Sequence, residues 1–202
     1  MPTAASMESY YERRSGEYDD WYRGTGLFAD RHRPGWEAEL ATVVDTIHAL
    51  RPCRTLDVAC GTGFVTRQLP GGVVGLDASR SMLQEARGRL AGPLVNADAL
   101  ALPFANASFE RIFTGHFYGH LDRGSREVFL AEAGRVAREL VVLDAALRRG
   151  VEPDQVQERI LKDGSTHRVY KRFLAPDQLI AELGGGDVLC AGRWFVLVRS
   201  QR

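Results

Sequence analysis

The segment Arg54-Thr55-Leu56-Asp57-Val58-Ala59-Cys60-Gly61-Thr62-Gly63 decides how this chain is read. Arg54 to Val58 predicts a short buried strand, and Ala59 to Gly63 predicts a glycine turn with a helix starting at Phe64. The residues ahead follow another period. Trp36, Leu40, Val43, Val44, Ile47 and Leu50 recur at helical spacing from Gly35, and Pro52 ends the run.

The same alternation continues downstream. Val73 to Leu76 predicts a strand ending at Asp77, and Ser79 is placed to cap a helix carrying Met82, Leu83, Ala86 and Leu90. Leu94 to Asn96 and Arg111 to Thr114 predict the third and fourth strands, Ser125 to Val136 a helix, and Leu140 to Leu143 a fifth strand. Pro176 opens a helix to Leu183, and Val188 to Cys190 with Trp194 to Val198 predict a terminal antiparallel pair. The expected fold is α/β and doubly wound: a mostly parallel seven-stranded sheet with helices on both faces and an antiparallel C-terminal strand. Residues 35–202 form its main domain. Residues 1–34 form an aromatic segment ahead of it, with Tyr10, Tyr11, Tyr18, Trp21 and Tyr22 on a short helix over 8–22. Residues 148–173 read as an insertion without a clear pattern, basic at Arg168, Lys171 and Arg172.

Composition excludes several function classes. The 202 residues carry 26 Lys+Arg against 26 Asp+Glu, so no overall field exists to hold nucleic acid or anionic lipid. The best apolar run, Leu140 to Leu147, is interrupted by Asp144 and is far shorter than the roughly 18 residues of a membrane span. The N-terminus lacks the basic-then-apolar pattern of a secretory signal. Cys53, Cys60 and Cys190 are odd in number and form no CxxC pair, which argues against a disulfide framework and a thiolate metal site. A cytoplasmic protein without a metal centre is expected.

In an open parallel sheet, ligands sit beyond the carboxyl ends of the strands. Here those ends carry Asp57, Asp77 and Asp98 beside one glycine turn. Small residues let backbone N–H groups approach a ligand, and a carboxylate accepts two hydrogen bonds from a ribose diol. The set describes a nucleoside site. A dinucleotide site would want glycine where Thr66 stands, and no Tyr-x-x-x-Lys pair supports a nicotinamide-dependent oxidoreductase.

LDVACGTGFVT from Leu56, VVGLDAS from Val73 and NADALALPFANASFERIF from Asn96, in this order, resemble the class I, Rossmann-fold S-adenosylmethionine-dependent methyltransferases, in particular their small-molecule group. The likeness spans residues 36–145. It implies S-adenosylmethionine as cofactor and S-adenosylhomocysteine as product. It places the turn of Ala59, Cys60, Gly61 and Gly63 against the methionine part, Asp77 with Ala78 at the ribose, and Asp98 with Ala99 at the adenine. Asp57 and Thr114 join this set. Ala59 stands where the family commonly has glycine. Met82 is either a cover for the adenine face or a core residue.

His116 follows strand four, where this family places groups near the transferred methyl. It is a candidate base for the acceptor's proton or a pocket-lining residue. His120 is expected to be structural. The Asn/Asp-Pro-Pro-Tyr/Phe sequence of amino-methylating nucleic-acid enzymes is missing. Tyr11, Tyr18 and Trp21 resemble a lid over cofactor and acceptor, with packing alone as the competing explanation. Arg148, Arg149, Lys171 and Arg172 are expected to be solvated rather than to select an anion. Methyl transfer to a small-molecule acceptor is the resulting expectation, with a non-catalytic cofactor-binding or partner-binding module as the alternative.

Overall fold

The computed structural model describes residues 4–201; residues 1–3 and 202, the outermost parts of the two segments assigned above, lie outside the described residues, as does part of the reading of the N-terminus as lacking a signal. Two helices, α1 (Ala4–Arg14) and α2 (Asp20–Arg23), flank a 3₁₀ turn at Ser15–Glu17 and lead to α3 (Trp36–His48). The alternating part follows: β1 (Thr55–Val58), β2 (Val73–Asp77), α4 (Arg80–Arg87), β3 (Leu94–Asn96), β4 (Phe109–Gly115), α5 (Arg123–Val136) and β5 (Ala137–Ala145). The chain ends with β6 (Asp154–Ile160), β7 (Thr166–Arg172), α6 (Pro176–Glu182), β8 (Asp187–Ala191) and β9 (Phe195–Gln201).

Seven strands form one sheet in the order β3-β2-β1-β4-β5-β9-β8. β1 to β5 pair in parallel, while β9 runs antiparallel to both β5 and β8. Strand order reverses between β1 and β4, and that switch point creates a crevice at their carboxyl ends.

The apolar runs of the central strands are continuous because both faces are covered. Ile112, Leu140, Val142, Val196 and Val198 pack with Phe129 and Ala133 of α5 and Leu179 of α6. Their neighbours Phe113, Val141, Leu143, Phe195 and Leu197 point the other way, against Trp36, Val43 and Ile47 of α3. Each such side chain stabilises the fold by roughly 1.5–3 kcal/mol when removed from water. Ser79 caps α4 as its sequence position indicates, its hydroxyl accepting from Met82 N at 3.1 Å.

Several expectations are corrected. The helix from Phe64 is a single 3₁₀ turn, Thr66–Gln68, after which Leu69 is extended. Pro70 disfavours helical backbone at the residue before it. α4 stops at Arg87, leaving Leu90 outside the helix. The aromatic helix over 8–22 is broken after Arg14, next to Gly16. The insertion 148–173 contains the antiparallel hairpin β6–β7, on which Tyr10 packs with Leu161 and Val169. Lys171 and Arg172 are buried, not solvated: Lys171 pairs with Asp144 and Arg172 with Glu182.

Candidate active site

The turn after β1 holds three residues in the left-handed region, Ala59 at φ 59°, Gly61 at 55° and Gly63 at 77°. Glycine adopts this backbone freely, whereas Ala59 does so at a steric cost of about 1–2 kcal/mol. A Cβ on Gly61 would stand 3.7 Å from the Tyr18 ring, so the absence of a side chain there keeps the backbone open beneath the N-terminal segment.

Asp77, at the end of β2, braces this turn. One carboxylate oxygen accepts from Gly61 N at 2.8 Å and the other from Ser79 N at 2.8 Å. Each oxygen keeps a lone pair for a further donor. Asn96 fixes the adjacent backbone through its amide, which donates to the carbonyls of Asp77 and Ala78. Asp98 lies beyond β3, exposed, with Oδ1 accepting from Leu100 N at 2.9 Å. Ala78 is exposed between them, and Ala99 and Met82 are buried. Thr114 is also buried, its hydroxyl donating to the carbonyl of Val58 and tying β4 to β1.

Asp57 lies deeper. Its Oδ1 is buried without a hydrogen-bond partner among the described residues, and burial pushes its pKa up to about 8, against the bond from Thr66. Burial likewise raises Asp77, to about 6, opposed by its two backbone donors. An orphaned carboxyl oxygen beside an open glycine turn suits a ligand that brings hydrogen-bond donors and positive charge. With Tyr18 and Cys60, Asp57 lines a small cavity below that turn.

Next to it lies a cavity of about 880 Å³, lined among others by Tyr18, Trp21, His116, Lys171 and Trp194. His116 follows β4 at φ 57°, a strained backbone for a residue with a Cβ, and its N–H donates to Leu143 O. The imidazole stands against Trp21, Tyr22 and Phe195. Nδ1 is 3.8 Å from Asp144 Oδ1, and Nε2 is buried without a hydrogen-bond partner among the described residues. Burial holds this histidine below its ordinary pKa, with Asp144 opposing, so the ring is neutral at pH 7. Asp144 itself is anchored by Gly119 N, Ala145 N and Lys171. Burial works against its charge, but Lys171 and His116 hold its pKa well below the carboxylate range.

The structure therefore brings the turn residues, Asp57, Asp77 and Tyr18 together, with His116 on the neighbouring strand end. Met82 and Thr114 are both buried, and Thr114 ties β4 to β1. Asp144 was not singled out as a site residue, although a charge interrupting the apolar run of β5 was its signal. His120 donates from Nδ1 to the backbone carbonyl of Tyr170 at 2.6 Å, a structural contact.

A methyltransferase-domain family profile matches residues 55–139, covering all of β1 to β4 and the turn that Asp77 braces. Over these residues the chain is similar to methyltransferase domains. It is similar to an O-methyltransferase of Pyrenophora dematioidea, 28% identical over 181 residues, which are 77% of this chain and 67% of that protein. A Methanocaldococcus jannaschii protein is 37% identical over 134 residues, 66% of this chain and 48% of its own length, so the chain spans about half of that relative. The solved DhpI-SAM-HEP complex shares the fold at TM-score 0.75 and 22% identity, over 98% of this chain and 99% of that one. Among the described residues, no helix of this methyltransferase fold is long and apolar enough to cross a membrane.

Proposed function

We propose that the chain transfers the methyl group of S-adenosylmethionine to a small-molecule acceptor. The observation that carries this is Asp77, whose carboxylate braces Gly61 N and Ser79 N while keeping lone pairs free at the mouth of the turn. Asp77 would hold the ribose hydroxyls, the turn and Asp57 the methionine part, and Asp98 the adenine. When bound, the cofactor supplies a methyl group activated by its sulfonium, so that the acceptor's lone pair forms the new bond to carbon as the carbon–sulfur bond breaks. The protein's work is alignment and exclusion of water. Trp21 and Tyr22 cover His116 from the N-terminal side and narrow the way to solvent. His116 is the proposed base: its neutral ring directs Nδ1 to Asp144, leaving Nε2 to take an acceptor proton. The three cysteines are free thiols, two of them buried, which fits the cytoplasm.

Calorimetry with S-adenosylmethionine tests the reading. Asp77→Ala should weaken binding by about 2–4 kcal/mol, the scale of hydrogen bonds lost to a charged acceptor, or roughly 30-fold and more. His116→Ala should leave binding within a few fold and lower transfer about 10²- to 10⁴-fold. Unchanged affinity in a folded Asp77→Ala protein would sink the cofactor assignment. A fully active His116→Ala enzyme would leave alignment as the whole mechanism.

A further inference from the structure

The chain is charge-balanced, yet its large cavity is not. Arg14, Arg31, Arg33, Arg148 and Arg159 all line it, and among the described residues none has a carboxylate within 4 Å. Its lining carboxylates are Glu17 and Glu158; Glu17 is occupied by Lys162 N and Glu158 is exposed. Buried charges are ordinarily paired. Arg14 breaks that rule most clearly, since it is 6% exposed and, among the described residues, donates to the Tyr10 hydroxyl and stands over the Tyr18 ring at 4.9 Å without a carboxylate partner. Arg159, from β6, reaches the same hydroxyl at 3.3 Å and Gln157 at 3.0 Å. The two guanidinium groups thus converge on one phenol from different parts of the chain. Arg31 stands over the Phe28 ring at 4.6 Å and Arg14 over the same ring at 5.8 Å, which places a third like charge beside them.

From this convergence of guanidinium groups without carboxylate partners in one cavity, we infer that the acceptor is a small oxyanion, its anionic group held between Arg14, Arg159 and Arg31. The inference rests on the methyltransferase reading for the word acceptor, but the anion site stands on the cavity alone. Planar guanidinium forks match carboxylate and phosphate oxygens alike, so these share the required chemistry. The 880 Å³ volume suits a small molecule rather than a polymer.

The test titrates the protein with inorganic phosphate and with succinate, at constant ionic strength against chloride, in the presence and absence of S-adenosylhomocysteine. A saturable heat and a raised Tm are expected for at least one anion. Binding of phosphate alone points to a phosphoryl or phosphono acceptor, and binding of succinate alone to a carboxylate. Arg159→Met should lose tenfold or more in anion affinity while its S-adenosylhomocysteine affinity stays within twofold. Arg31→Met provides a second variant, on a more exposed residue, with the same expectation. Anion binding no better than the chloride control, or equal in both variants and wild type, overturns the inference. Failure of wild type to bind S-adenosylhomocysteine overturns the methyltransferase reading instead and leaves the anion titration intact.

Discussion

At the scale of single residues, the site depends on carboxyl groups placed where they resist ionisation to different degrees. Asp77 is raised to about 6 by burial and is mostly charged at pH 7, whereas Asp57, raised to about 8 by burial with Thr66 opposing, still holds its proton. A raised carboxyl favours folding below the ordinary value of 3.8 and loses that contribution as pH climbs through 8. S-adenosylmethionine carries a sulfonium and an ammonium group, and either favours the charged form of a neighbouring acid. Binding at pH 7 is therefore expected to release close to one proton, read as a dependence of the calorimetric heat on the buffer's ionisation heat. Asp57→Asn should remove that dependence. An equal release in the variant would assign the proton elsewhere.

At the scale of elements, the strands and their order were legible because continuous apolar runs bounded by glycine and acid can be seen without tertiary context. Leu140 to Leu143 and Arg111 to Thr114 are of this kind. The hairpin β6–β7 was not legible, since Asp-Gln-Val-Gln-Glu-Arg-Ile lays a half-buried face against Tyr10 that only the folded N-terminal helix supplies. Lys171 looked solvated for the same reason: its partner Asp144 is 27 residues away. The three strand-end acids were legible, but Arg14 and Arg159 were not, because no local pattern marks two arginines that share a phenol. The N-terminal helices gain their anchors from the main domain. Glu12 accepts from Arg80 N at 2.6 Å and Ser81 N at 3.2 Å in the first turn of α4, where the helix end favours an anion. Asp19 accepts from Thr62 at 2.6 Å and pairs with Arg89 at 2.6 Å. These contacts seat the proposed lid on the two segments proposed to hold the cofactor. Hydrogen exchange over residues 9–23 should slow when S-adenosylhomocysteine is added, and Glu12→Gln should restore faster exchange. Protection already complete without ligand would make the segment a fixed helix rather than a lid.

At the scale of the whole molecule, an electrically balanced chain gathers arginines without carboxylate partners around one cavity, beside two buried histidines held neutral. His120 is buried, and its pKa is pushed well below 6.5 by that burial and then by Lys171 and Arg159, with Asp144 opposing. Because Nδ1 meets the carbonyl of Tyr170, its neutral state joins the turn after β4 to the hairpin strand β7. The sign of the linkage follows from the depressed value. Above pH 6.5 His120 is neutral in both folded and unfolded chains, so its contribution is complete. Below it the unfolded chain takes up a proton that the folded chain refuses, and stability falls by about 1.4 kcal/mol per pH unit for each such group until the folded pKa is reached. Asp57 and Asp77 slope the opposite way over part of this range, so wild type alone does not isolate the effect. The difference between wild type and His120→Gln does. Urea unfolding at pH 7.0 and 5.5 should show the variant's deficit shrinking on acidification by about 1 kcal/mol, as the group that refuses the proton has been removed. A deficit that stays constant between the two pH values would mean that His120 titrates alike in both states and that its burial is offset by a partner other than the carbonyl of Tyr170.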